Sequence, residues 1–239
     1  MEKSKFQRFL DKYNLGGSCE SVLLQVEDNV LSTRSISDDK AVLCEINAPS
    51  MGLGEGLYGV YETARLKSLL GVLGETLSVE ANQHSERFVG ITFADTNTDA
   101  TFVLADPTVI PSVPDLKTLP AFDVSIDLTD TLINTFIKAK SALPDVDTFT
   151  VLGSRGEVDI VLGHSKLNTN RVTIKTGVTV DSSFSAISFS AKYLREILVA
   201  NKEAKNGVLE ISSKGLARVT FSVDSINSKY FLVKIDTAD

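Results

Sequence analysis

The sequence predicts an α+β protein written twice over, two similar domains in which short helices pack on antiparallel sheets. Three observations carry that prediction. Helical periodicity recurs four times, and each time it is followed by three stretches that alternate like strands. Two of these helix-into-strand passages read alike: "ARLKSLLGVLGETLSVEA" from 64 and "KYLREILVANKEAKNGVLEISS" from 192 each run Leu, a basic residue, one variable position, Leu or Ile, then Leu. Finally, four of the six prolines (Pro107, Pro111, Pro114 and Pro120) crowd into one stretch near the middle of the chain.

The helices follow from spacing. Phe6, Phe9, Leu10 and Tyr13 fall at i, i+3, i+4 and i+7, and the pattern ends at Gly16-Gly17. Leu66, Leu69, Leu70 and Leu73 repeat it and stop at Gly74, the expected C-terminal cap. The third helix follows Thr129 or Asp130 as N-cap, carries Leu132, Ile133, Phe136 and Ile137, and stops before Pro144. The fourth starts near Ser190, carries Leu194, Ile197 and Leu198, and ends before Gly207.

Nearly everything else alternates. "SVLLQVE", "NVLSTRSI" and "KAVLCEI" follow the first helix; "TLSVEA", "RFVGITFAD" and "ATFVLAD" the second; "DTFTVLG", "EVDIVLG" and "RVTIKTG" the third; "VLEISS", "LARVTFSVD" and "KYFLVKID" the fourth. Asp28-Asn29, Asn97-Thr98-Asp99 and Lys214-Gly215 supply the turns between them. Short strands, "LYGVY" and "AISFS", enter the second and fourth helices. Proline density forbids helix and weakens any central strand, so 107–121 reads as an extended connector between an N-terminal domain, 1–106, and a C-terminal domain, 122–239.

Composition narrows the function. No apolar run approaches the length of a membrane span, and "MEKSKFQRFLDKY" lacks the apolar core of a signal peptide. Cys19 and Cys44 are too few for a disulfide framework and read as reduced thiols of a cytoplasmic protein, the host cytoplasm if the chain is viral. The net charge of −7 argues at first against a nucleic-acid partner. The charge is segregated, however: the four helical segments sum to +6, which leaves −13 for the strands and loops. Lys5, Arg8 and Lys12 make one stripe opposite the apolar face of the first helix, beside Lys3. Lys192, Arg195 and Lys202 make a similar one, with Lys205 beyond; Arg65 and Lys67, and Lys138 and Lys140, are the thinner contributions of helices two and three. A basic helical surface on an acidic body suits sequence-independent contact with phosphates, and no zinc-finger or helix-turn-helix pattern suggests base reading.

Catalytic chemistry finds little support. His84 and His164 are the only histidines and lie in polar, turn-like stretches. "GLGEGLYG" lacks the Gly-Lys-Ser/Thr ending of a phosphate loop, and the aspartate pairs lack calcium-loop spacing. No enzyme, metal or cofactor is expected. Two other classes remain: a non-catalytic viral structural β-protein assembling through sheet edges, and a hydrolase using Asp/His chemistry.

Two paired helix-and-sheet domains, a proline-rich connector and basic helices on an acidic body resemble a DNA sliding clamp. "YGVYETARLKSLLGVLGETLSVEA", "FVLADPTVIPSVPDLKTLPAFDVSIDLTDTL" and "SKYFLVKID" resemble the strand-helix-strand, linker and last strand of clamps from T-even-type bacteriophages. The last is also similar to the C-terminal strand of proliferating cell nuclear antigen. The resemblance implies a homotrimeric ring whose helices face duplex DNA, holding a replicative DNA polymerase on its template after loading by a clamp-loader ATPase. It implies head-to-tail contacts through two edges, Thr101, Phe102, Val103 and Leu104 on one and Arg171, Val172, Thr173, Ile174 and Lys175 on the other. It also implies a pocket for partner peptides at Val109, Ile110, Pro111, Val113 and Leu116 with Phe231, Val233 and Ile235.

Overall fold

The computed structural model describes residues 1–116, 118–154, 156–165, 169–180 and 185–236. The chain divides into two compact units: Met1–Asp115 with Asp224–Ser228, and Leu116–Val223 with the chain from Lys229 onward. In the first, α1 (Lys3–Asn14) and a 3-10 turn (Leu15–Gly17) lead into β1 (Val22–Glu27), β2 (Val30–Ile36), β3 (Val42–Pro49) and β4 (Gly56–Val60). Helix α2 (Thr63–Gly71) then leads into β5 (Ser78–His84), β6 (Arg87–Ala94) and β7 (Asp99–Val103). The second unit runs β8 (Val124–Asp127), α3 (Asp130–Ala142), β9 (Thr148–Ser154), β10 (Glu157–Leu162), β11 (Val172–Thr179), β12 (Ile187–Ser190), α4 (Ala191–Ala200), β13 (Gly207–Ser212), β14 (Leu216–Val223) and, from Lys229 on, β15 (Ile226–Val233).

The strand orders repeat. The first unit orders its strands β4-β1-β2-β3 and β5-β6-β7; the second orders them β12-β9-β10-β11 and β8-β13-β14-β15. In each unit, therefore, three hairpin-linked strands are joined by a fourth that returns beside the first. Strand β8, which alternation did not reveal as an element of its own, pairs antiparallel with β13. Its counterpart in the first unit is a single residue, Glu2, which bridges antiparallel to Thr76 just before β5.

Packing repeats as well. Phe6 of α1 is fully buried, stacked with Phe9 at 6.4 Å and tilted against Phe93 of β6 at 5.7 Å. In the second unit Phe136 of α3 meets Phe149 of β9 edge-on at 5.5 Å, and Phe149 lies 5.6 Å from Phe189 of β12. One aromatic residue on the first helix of each unit thus packs against an aromatic of a strand, Phe6 on Phe93 and Phe136 on Phe149.

Turn chemistry explains the hairpins. Asp28 and Asn29 both take positive φ, as a two-residue turn between paired Glu27 and Val30 requires. Thr129 and Ser190 cap α3 and α4 with side-chain oxygens that accept from the amides of Leu132 and Tyr193.

Three elements depart from the sequence reading. Gly74 does not cap α2 in a left-handed conformation; the helix closes at Val72, and the Gly74 amide donates to Asp95 instead. Helix α4 stops at Ala200, because the buried Asn201 side chain donates to the Ile197 carbonyl and to Tyr230. The connector begins with a 3-10 turn at Pro107–Val109, where Asp106 accepts from the Thr108 amide.

Candidate nucleic-acid interface

Helix α1 contacts α2 in the first unit, and α3 contacts α4 in the second. Each helix spends its apolar side on the core: Phe6, Phe9, Leu10 and Tyr13 from α1, Leu66 and Leu70 from α2, Leu132, Ile133 and Phe136 from α3, and Leu194, Ile197 and Leu198 from α4. The Tyr13 hydroxyl meets the Thr63 hydroxyl at 3.1 Å, tying the end of α1 to the start of α2. Burial raises the Tyr13 pKa, so that hydroxyl stays neutral.

The basic residues of these helices are mostly held by neighbours. Arg8 pairs with Asp224 at 2.6 Å, Lys67 with Asp11 at 2.6 Å, Arg65 with Glu62 at 3.1 Å and Arg195 with Glu196 at 2.5 Å. The Lys3 ammonium donates to the Leu73 carbonyl, and that of Lys140 donates to the Pro144 carbonyl at 2.7 Å. Lys192 is exposed, its ammonium 5.5 Å from the Tyr193 ring centroid. Lys138 is exposed and Lys5 half-buried; neither forms an ion pair among the described residues.

Two expectations are corrected. Lys12 is fully buried, with no place on a solvent stripe, because its side of α1 is enclosed by the unit rather than open. Lys202 and Lys205 are exposed but lie past the end of α4, which Asn201 terminates.

The strands expected at subunit contacts are both outermost in their sheets. Strand β7 carries Thr101, Phe102 and Val103 at the edge of β5-β6-β7, with Leu104 following; Val103 is 75% exposed, whereas Phe102 and Leu104 are buried. Strand β11 carries Val172, Thr173, Ile174 and Lys175 at the edge of its sheet, with Arg171 just before it. Ile174 is buried, and Lys175 pairs with the buried carboxylate of Asp159 at 2.8 Å.

The connector residues divide. Ile110 is buried, Pro111 exposed and Val113 half-buried, while Val109 and Leu116 are exposed. A cavity of about 320 Å³ separates the connector from β1 and β2, lined by Leu23, Gln25, Ser32 and Arg34 on one side and by Ile110 and Val113 on the other. Arg34 spans it: Nη1 meets Asp115 at 2.7 Å, Nη2 donates to the Pro114 carbonyl at 2.8 Å, and Nε lies 3.3 Å from Glu45. Sequence reasoning missed Arg34, which in an alternating strand looks like any outward polar residue. In the second unit Phe231 is buried, Val233 exposed and Ile235 half-buried, the Ile235 amide donating to the Ser188 carbonyl. Among the described residues no three His, Cys, Asp or Glu side chains gather as a metal site.

No family model matches this sequence, and no curated protein matches it. Solved structures do. The chain superposes on the PCNA of A. fulgidus, whose structure holds the C-terminal region of FEN-1, with a TM-score of 0.77 over 100% of this chain and 98% of that one. The PCNA2–PCNA3 complex of Sulfolobus tokodaii gives 0.75 over 98% and 97%, and the proliferating cellular nuclear antigen of Entamoeba histolytica gives 0.74 over 98% and 96%. This is the sliding-clamp fold. Sequence identities of 13%, 11% and 16% mean that the likeness lies in the clamp architecture, two helix-plus-sheet domains along the whole chain.

Proposed function

We propose that this chain is a subunit of a DNA sliding clamp, a non-catalytic scaffold that encircles duplex DNA without reading it and tethers a replicative polymerase. The observation that carries the reading is the twice-repeated unit of two helices on two sheets, basic on the helices and acidic elsewhere, matching clamps from end to end. Phosphates attract such a surface with no sequence information. Arg8, Arg65, Lys67 and Arg195 each share their charge with a carboxylate, so none offers DNA a deep single site. A ring that must slide gains from many shallow contacts.

In the finer version of the reading, the clamp is a homotrimer of the T-even bacteriophage type, opened by a clamp-loader ATPase in the host cytoplasm. Its subunits meet head to tail through the edges carrying Val103 and Ile174, and partner peptides take the connector and the end of β15.

Mass in solution combined with topological retention tests this. The expected mass is about three times the 25.8 kDa chain. The loaded protein should stay on closed DNA circles and run off when they are linearised. An oligomer that never distinguishes circles from linear DNA would return the structural β-protein reading, and a strict monomer at high concentration would remove the ring.

A further inference from the structure

The second unit covers a sheet edge that the first leaves open. In the second, β8 lies along the outer edge of β13 and pairs Ile126 with Leu209, Ser125 with Glu210 and Val124 with Ile211. Val124, Ile126, Leu209 and Ile211 are all buried. In the first, β5 is the outermost strand of β5-β6-β7, and among the described residues its outer edge is met only before it begins, where Glu2 bridges to Thr76. There the Met1 amine donates to the Leu77 carbonyl at 2.6 Å, and the Leu77 amide donates to the Met1 carbonyl at 2.8 Å. Antiparallel ladders alternate, so Val79 and Ala81 turn their amides and carbonyls toward the same outer side. Their side chains are only half-buried, although their partners on β6, Phe93 and Ile91, are buried.

A charge beside this edge is also unpaired. Met1 and Leu128 each stand two residues before a helix, bonded to Leu77 and to Gly207. Counted from those two bonds, Glu80 occupies the place in β5 that Glu210 occupies in β13. Glu210 accepts two hydrogen bonds from Arg218, directly across on β14, at 2.6 and 2.7 Å. Across from Glu80 stands Thr92 instead, whose hydroxyl meets Asn82 and Thr101. Glu80 is exposed and forms no ion pair among the described residues.

We propose that the open edge of β5 is a docking site for an extended segment of a partner protein, in which one basic residue stands between two aliphatic ones. The segment lies antiparallel on β5 as β8 lies on β13. Val79 and Ala81 supply the backbone bonds, and the two aliphatic side chains beside them extend the face that carries Phe93 and Ile91. The basic residue falls on the opposite face, across from Glu80, where an acidic one would meet a like charge. Affinity comes from the ladder and selectivity from the alternate side chains.

The probe is a synthetic peptide with the 122–127 sequence of β8 carrying Ser125→Lys, added to the full chain and followed by amide hydrogen exchange. At millimolar peptide the amides of Val79 and Ala81 should gain protection, and a peptide with its valine and isoleucine brought side by side should give none. Glu80→Lys should weaken binding several-fold and restore it for a peptide with glutamate in place of that lysine. Val79→Pro, which removes an outward amide from an edge strand, should weaken binding about tenfold. Unchanged exchange at Val79 and Ala81 would overturn the proposal, as would equal binding of the lysine and glutamate peptides, or protection along β7 or β11 instead. Protection already present in the chain alone, or rising with its concentration, would mean that this chain or a second copy fills the edge, and would overturn it too. The wild-type and Glu80→Lys measurements decide even if Val79→Pro fails to fold, and none of these outcomes depends on the clamp reading.

Discussion

Asp95 accepts amide hydrogens from Gly74, Asn97 and Thr98, standing in for missing backbone partners. Glu75 accepts from Ser4, Asp106 from Thr108 and Asp123 from Ser213. Backbone hydrogen bonds hold Asp95, Asp106 and Asp123 below the ordinary Asp value of 3.8, and Ser4 does the same for Glu75. A depressed carboxylate contributes stability above its unfolded pKa and loses it as pH falls toward the folded one. Thermal stability should therefore fall on acidification below about pH 4. Asp95→Asn should melt lower than wild type at neutral pH, and the two melting curves should converge in acid. Arg34 supports a second expectation. Among the described residues its guanidinium makes the only polar ties to the connector between Pro111 and Leu116, and Arg34→Ala should raise thermolysin cleavage there by about five- to tenfold while leaving the global melting point nearly unchanged. Arg34→Lys should fall between, since a lysine cannot hold both Asp115 and the Pro114 carbonyl. Neither Arg34 nor the burial of Lys12 was legible in the sequence, for one reason. Periodicity gives the direction in which a side chain leaves its element, and says nothing about which distant segment lies across its path.

Elements show the same division between local and distant causes. Helices α3 and α4 carry their own caps, and both Thr129 and Ser190 could be marked from sequence because the capping oxygen and its amide are three residues apart. Helices α1 and α2 have no side-chain cap of their own. Instead Glu75 accepts from Ser4 near the start of α1, and Glu20 accepts from Ala64 near the start of α2, both at 2.8 Å. Those carboxylates are contributed by the segment next to the partner helix: Glu75 follows α2, and Glu20 follows α1. No local pattern announces such an exchange. Thr129→Ala and Ser190→Ala should each cost about 1 kcal/mol of unfolding free energy. Glu20→Ala should cost at least as much, because Glu20 also accepts from Asn14 at the end of α1 at 2.9 Å; Glu62→Ala, at the nominal N-cap of α2, should be close to neutral. Equal losses at Glu20 and Glu62 would show that α2 is not held by its neighbour. Strands were easier to find than caps, since alternation survives wherever one face is buried. Strand β8 escaped because its four residues, between the proline-rich stretch and the cap of α3, are too few for alternation to stand out.

At the scale of the whole molecule, the duplication was legible and the state of the helical charges only partly so. Four helix-plus-three-strand passages are visible in the sequence because apolar spacing is a local property repeated along the chain, and the sheet orders reproduce them in both units. The basic surface is harder to read, since a formal charge counts equally whether it is buried, ion-paired or free. Lys12 is buried, Arg8 and Lys67 are paired, and Lys5, Lys138 and Lys192 are the helical lysines left to act on a phosphate. If the clamp reading holds, replacing those three by Glu should leave the oligomer mass unchanged and shorten retention on closed DNA circles steeply as salt rises. The slope of log affinity against log salt should fall by about 0.9 for each phosphate contact removed, measured on duplex DNA. Lys12→Ala offers the contrast: it should lower the melting point through the core of the first unit and leave that slope unaltered. A triple variant that loads, slides and shows the wild-type salt slope would mean that the helices do not face the duplex, and the charge segregation would then need another partner.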